Sequence, residues 1–289
     1  MVDPILKWVG GKRQLMEELK ELLPDEYNQY HEPFVGGGAL FANLNPESGS
    51  INDKNIRLMN YYEVVKSHPE ELISELENFS GPESDPDPYR RFSESTQKGK
   101  EVTEYYYQQR ALFNLRPYND VYDPIKEASL LQYLNRTCYN GLYRENQSGG
   151  FNSPIGSYDN PEWVFPDRIN TFSTALEGID IYSKDFSYII ERAEENDLVY
   201  FDPPYKPVSE TESFTEYSKD GFDQEDQLRL LDVIQELTEN GVYVIVSNSG
   251  VLKDKYSETL SVSTVDATRS INSDGQNRGS VEEIIATNY

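Results

Sequence analysis

Leucines at 15, 19, 22 and 23 recur at helical spacing inside residues 11–23, and Pro24 closes the run. That spacing predicts an amphipathic helix. A short strand is expected to follow, reaching 31–35, and then the turn Gly36-Gly37-Gly38. A second strand is expected at 50–53. Residues 70–88 hold seven acids and no base, and 81–88 read as an exposed loop. From 105 to 143 the pattern is mainly helical, and 146–158, rich in Gly, Ser and Asn, predict a turn or hairpin. The last third alternates: a strand at 198–201, a helix over about 223–239 capped by Asp223 and stopped near Gly241, then strands at 242–247, around 260–265 and at 283–287. Strand and helix alternating at both ends imply an α/β fold with a mostly parallel sheet. The middle, residues 58–164, is expected as an insertion between the two parts of one domain, 1–57 and 165–289.

Composition narrows the class. The net charge is -25, yet 22 Tyr and 12 Phe are too many aromatics for a disordered acidic chain. No apolar run nears the roughly 18 residues of a membrane span, and the first residues lack the apolar core of a signal peptide. A single cysteine, Cys138, excludes an internal disulfide, and two separated histidines leave no zinc site. A soluble, cytoplasmic, metal-free protein is expected. An acidic chain is a poor partner for phosphate, but the charge is uneven. Lys7, Lys12 and Arg13 face only Asp3 in residues 1–16; Arg136 and Arg144 face only Glu145 in 129–158; Arg269 and Arg278 face only Asp274 in 267–281. The acid excess elsewhere suits work in concentrated salt, where the Debye length shrinks to about 3 Å at 1 M.

Asp202-Pro203-Pro204-Tyr205 follows a buried strand; two prolines fix the backbone, so the Asp202 carboxylate and the Pro203 carbonyl are aimed at one point and Tyr205 offers a flat ring. Two acceptors and an aromatic clamp describe a site for an exocyclic base amine. The Gly36–Gly38 turn after the first strand allows close backbone approach, but Phe41 stands where a dinucleotide fingerprint needs its third glycine. Asp53, at the end of the second strand, is placed to accept from ribose hydroxyls. Gly10-Gly11-Lys12 fails as a P-loop. Trp8, flanked by Lys7 and Lys12, suits either a core or a cofactor edge, and Cys138 reads as packing, against a cytosine-C5 mechanism. Tyr139, Asn140, Arg144, Asn152 and Tyr158 supply stacking groups and bidentate donors in an acid-poor stretch.

Taken together, Leu6–Lys12, Glu32–Gly38, Leu134–Tyr143, Phe151–Pro154, Tyr200–Tyr205, Ser213–Thr215, Ser247-Asn248 and Thr287–Tyr289 resemble the Dam-type family of adenine-specific DNA methyltransferases over nearly the whole chain. The resemblance implies a Rossmann-like domain using S-adenosylmethionine, with S-adenosylhomocysteine as product, and a mainly helical target-recognition insertion bearing a hairpin. By position, Trp8, Lys12, Phe34, Gly36, Gly38, Asp53, Asp185, Phe186 and Asp202 would line the cofactor. Lys7, Tyr139, Asn140, Leu142, Arg144, Asn152 and Tyr158 would contact double-stranded DNA. GATC readers of the family carry Arg immediately before the tyrosine matching Tyr158; here Ser157 stands, so GATC or a related site is expected. A monomer is expected, and a cognate restriction endonuclease is a further partner the resemblance allows.

The chemistry expected is extrusion of adenine from the duplex, stacking on Tyr205, and acceptance of its two N–H groups by Asp202 and the Pro203 carbonyl. Two alternatives stay open: a cytosine-N4 DNA methyltransferase, since the same acceptors suit that amine, and a DNA-binding relative that has lost catalysis.

Overall fold

The computed structural model describes residues 2–8, 10, 12, 15–85, 104–115, 122–204, 222–268 and 280–289. In chain order the elements are α1 (Met16–Glu21), β1 (Tyr30–Glu32), α2 (Ala39–Leu44), β2 (Gly49–Asn52), α3 (Ile56–Ser67), α4 (Pro69–Glu77), α5 (Tyr105–Leu115), α6 (Pro124–Thr137) and α7 (Pro166–Ala175). They continue with β3 (Ile179–Tyr182), α8 (Ile189–Arg192), β4 (Leu198–Phe201), α9 (Gln224–Glu239), β5 (Tyr243–Ser249), α10 (Lys253–Tyr256), β6 (Ser261–Thr268) and β7 (Ser280–Thr287). Two compact units result. The helical unit comprises Met1–Gly11, Gly36–Asn45 and Asn55–Glu177; the sheet unit comprises Lys12–Val35, Pro46–Lys54 and Gly178–Tyr289.

The sheet unit holds seven strands in the order β3-β2-β1-β4-β5-β7-β6. β1 to β5 pair in parallel, and β7 runs antiparallel between β5 and β6. Strand order reverses between β1 and β4, which creates a crevice at their carboxyl ends. All four residues of β4, Leu-Val-Tyr-Phe, are buried, as a central parallel strand covered on both faces requires. On one face Val199, Phe201, Val244, Val246 and Ile284 pack with Leu230, Val233, Ile234 and Leu237 of α9. Each such side chain contributes about 1.5–3 kcal/mol of burial. Asp223 and Asp226 form a capping box that starts α9. His31 is buried within β1, its Nδ1 2.8 Å from Ser50 Oγ and its Nε2 3.1 Å from Asp197 Oδ2, and burial lowers its pKa.

The helical unit is built around α6, ten of whose 14 residues are buried. Phe79 stacks on Tyr133 with centroids 4.5 Å apart, and Trp163 meets the same ring edge-on at 5.2 Å. After α6 the chain turns back on itself through the antiparallel bridges Cys138↔Ile155 and Glu145↔Phe151. Asn146 Oδ1 closes the tip by accepting from the Ser148 and Gly150 amides. Cys138 is buried and its thiol is pushed up to about 12 by burial, so it packs rather than reacts.

Several elements differ in extent from their expected bounds. The helix over 11–23 is confined to Met16–Glu21 among the described residues. β1 stops at Glu32 because Pro33 has no amide to donate. The acids of 70–77 lie on α4, whose Leu72, Ile73 and Leu76 are buried, so that run is the solvated face of a helix. Among its described residues the 105–143 region is two helices and a 3-10 turn, Tyr139–Gly141, in which Asn140 takes a positive φ of 55°.

Candidate active site

The carboxyl ends of the parallel strands collect the expected chemistry of the sheet unit. Asp202 comes directly after β4, Asp53 directly after β2, Phe34 two residues after β1 and Asp185 three after β3. Lys12 Nζ lies 3.0 Å from Asp202 Oδ1 and 3.4 Å from Glu283 Oε2. The Lys12 side chain is only 6% exposed and that of Asp202 20%. Burial raises the Asp202 pKa to about 6; the Lys12 ammonium pulls it down, and Glu283 pushes it up. Asp202 is therefore ionised at neutral pH and yet close to titration, the range in which a carboxylate both accepts strongly and exchanges protons. Pro203 is buried and Pro204 exposed. Tyr205 and the Ser213–Thr215 segment lie outside the described residues.

Aromatic rings line the neighbouring loops. Phe34 contacts Phe186 at 5.4 Å between centroids and meets Phe222 edge-on at 5.5 Å. Asp185 caps the turn that carries Phe186: its Oδ1 accepts from the Ser187 amide and hydroxyl, and from Arg229 at 2.6 Å. These donors hold its carboxyl below the usual range despite desolvation. The Arg229 guanidinium also lies 4.9 Å over the Phe186 ring. Asn52, buried at the end of β2, ties two of these loops together, donating to the Pro33 and Lys184 carbonyls and accepting from the Lys184 amide.

The glycine turn belongs to the helical unit. Gly36 and Gly38 take φ of +47° and +66°, and Gly38 precedes α2. What approaches the backbone there is Trp8: a Cβ on Gly37 would meet Trp8 Cβ at 2.6 Å, and one on Gly36 would meet its ring at 2.9 Å. Trp8 stacks in turn on Tyr143 with centroids 5.3 Å apart. Tyr62 donates its hydroxyl to the Gly36 carbonyl at 2.8 Å.

The helical unit also assembles the polar cluster foreseen for DNA. The Lys7 ammonium lies 4.2 Å over the Tyr158 ring. Arg144 Nε donates to Asn152 Oδ1 at 2.6 Å, so the Asn152 side chain serves its neighbour. Tyr139 is 54% exposed, Asn140 and Arg144 are exposed, and Leu142 is half-buried. Asn135, on α6, brackets Lys7 by accepting from its amide at 2.8 Å and donating to its carbonyl at 2.7 Å, and donates also to the Gly141 carbonyl. Gly141 is required there, because a Cβ would collide with the Lys7 side chain.

Sequence reasoning did not single out Glu283, Asn135, Asn52 or Arg229. Asn135 left a trace as part of the Leu134–Tyr143 block, and Glu283 as one of two acids, Glu282 and Glu283, beside the apolar residues Ile284–Ala286 of a terminal strand. Among the described residues no cluster of three or more His, Cys, Asp or Glu is placed to hold a metal, and no helix is long and apolar enough to cross a membrane.

Carboxylates that can accept from hydroxyls and an ammonium, together with ring faces for a base, suit a nucleoside carrying a charged amino acid. The family model of the D12 class N6 adenine-specific DNA methyltransferases matches residues 8–278. The chain is 38% identical to the Type II methyltransferase M1.LlaDCHI of Lactococcus lactis, over 99% of this chain and 95% of that protein. It is 37% identical to the Type II methyltransferase M.MjaIII of Methanocaldococcus jannaschii, over 100% and 99%. It is 33% identical to the DNA adenine methylase of Escherichia coli, over 97% and 93%. With a sheet unit of the topology this chemistry uses and a match over nearly all its length, the chain belongs to the D12 class of N6 adenine-specific DNA methyltransferases.

Proposed function

We propose that this adenine-specific DNA methyltransferase uses S-adenosylmethionine to modify an extrahelical adenine at GATC or a related site in duplex DNA. One observation carries the placement of catalysis. Asp202 follows β4 beside the strand-order reversal, and its carboxylate is ion-paired with the buried Lys12. Adenine specificity of the family decides against the cytosine-N4 alternative. The intact Asp202-Pro203-Pro204-Tyr205 favours catalysis over an inactive DNA-binding relative.

The chain's residues divide the work as follows. Asp202 and the Pro203 carbonyl accept the two N–H groups of the adenine amine, which returns the lone pair from the ring to N6. Pro204 stiffens the turn, and Tyr205 stacks on the base. Lys12, Phe34, Asp53, Asp185, Phe186 and Asp202 would hold the cofactor, with Trp8, Gly36 and Gly38 assigned by motif. When bound, S-adenosylmethionine supplies a methyl group activated by a sulfonium centre. Asp202, titrating near pH 6, then takes up the proton that N6 sheds.

Residues 58–164 form the target-recognition insertion in this reading. Tyr139, Asn140, Leu142, Arg144, Asn152 and Tyr158, joined by Lys7, contact the duplex, and Arg144 is the natural reader of guanine. The protein acts as a cytoplasmic monomer in concentrated salt, and a cognate restriction endonuclease is a partner for it.

The test is transfer from labelled cofactor to unmethylated duplex in high potassium chloride, with nucleoside analysis of the product. N6-methyladenine is expected from the native chain and none from Asp202→Ala, with DNA binding retained. Wild-type turnover in Asp202→Ala would sink the assignment of the acceptor.

A further inference from the structure

β7 runs between β5 and β6, and in register Glu283 sits opposite Ser249 on one side and Val265 on the other. Its neighbours Ile284, Ile285 and Ala286 are apolar and buried, and Glu283 is itself only 7% exposed. A carboxylate in such a strand costs stability unless it is matched, and an apolar residue would serve the fold better. Its match is the Lys12 ammonium, 3.4 Å from Oε2, which is shared with Asp202 at 3.0 Å. One ammonium thus lies between two carboxylates, and the cluster carries a net charge of -1 when all three are ionised. A lysine paired to Asp202 alone would cancel that acid's charge and weaken it as an acceptor.

We propose that Glu283 is a positioning residue for methyl transfer: by pairing with the same Lys12 ammonium, it seats Lys12 against Asp202 and offsets its charge. Asp202 thereby keeps the acceptor strength needed to grip the adenine amine. This rests on the reading of Asp202 as that acceptor. The charged groups that act on Asp202 are Lys12, ahead of α1, and Glu283, on β7. Glu283 raises the Asp202 pKa, so its removal lets Lys12 hold Asp202 ionised to lower pH.

Glu283→Gln, of equal shape and no charge, tests this. In steady-state transfer to duplex DNA, kcat is expected to fall about tenfold with KM for DNA unchanged. The acid limb of kcat is expected to move down by about one pH unit. In the cofactor-free protein the same displacement is expected in the titration of the Asp202 carboxylate, followed by carbon-13 NMR of aspartate-labelled chain and assigned by its loss in Asp202→Asn. An unmoved limb or an unchanged kcat overturns the proposal. Glu283→Asp, which keeps the charge, is expected to restore the limb and part of kcat. Should the Gln variant not fold, the Asp variant carries the test, because its shorter side chain draws back from Lys12; wild-type kcat there overturns the proposal. Asp202→Ala, which removes the acceptor oxygens, separates the two readings when run in parallel. If it is inactive while Glu283→Gln behaves as wild type, only the role of Glu283 fails; if it is fully active, the acceptor assignment itself fails.

Discussion

Lys12 and Asp202 are 190 positions apart in the chain, and their Nζ and Oδ1 atoms lie 3.0 Å apart. Because burial holds Asp202 at about 6 in spite of that partner, its charge is switched within the experimentally useful range. Methyl transfer is expected to rise with pH through a limb near 6 and to level off above 7. A pH series of kcat, with folding checked by circular dichroism at each point, measures it. A flat profile from pH 5 to 8 would remove Asp202 from the chemistry.

The same shift predicts a stability cost. The folded pKa of Asp202 lies above its ordinary value of 3.8, so its contribution is fully present below about 3.8 and lost as pH rises through about 6. Asp202→Asn removes that loss. Relative to the native chain, the variant is expected to gain on the order of 2 kcal/mol between pH 4 and pH 7.5. Urea unfolding of both proteins at the two pH values measures the difference; no gain would mean that the ionised acid is better solvated than its burial implies.

Gly37 is held small by Trp8. Gly37→Ala places a Cβ 2.6 Å from Trp8 Cβ and is expected to cost about 1–3 kcal/mol. Gly149→Ala is the contrasting case, with open space but a φ of +75°, and should cost about 1 kcal/mol from the backbone alone. Thermal unfolding ranks the two, and near-ultraviolet circular dichroism, sensitive to the Trp8–Tyr143 stack, should change only for Gly37→Ala.

Asn152 orients Arg144 by accepting from its Nε. Asn152→Ala is expected to relax discrimination at one base pair of the site by about 1 kcal/mol or more, while affinity for unrelated DNA stays within a factor of two. Competition methylation of duplexes that differ at single positions reads this out. A uniform loss over all duplexes would instead make Asn152 a phosphate contact.

Local pattern alone announced much of this protein. A glycine turn after the first strand and an alternating last third were enough for a mostly parallel α/β fold, and Asp202-Pro203-Pro204 after an apolar tetrapeptide was enough to single out the end of β4. These features are short-range: proline and glycine restrict or free the backbone where they stand, and hydrophobic period reports burial one element at a time. Helix and strand ends were less legible: α1, which has no side-chain cap, ends at Glu21 ahead of Leu22 and Leu23, and β1 stops before Pro33. What tertiary structure decided were the partners. Glu283 joins Lys12 across 271 positions, and Asn135 brackets Lys7 across 128. Such pairs arise from strand order and helix packing, and a carboxylate's burial, pKa and neighbours exist only once distant segments have come together.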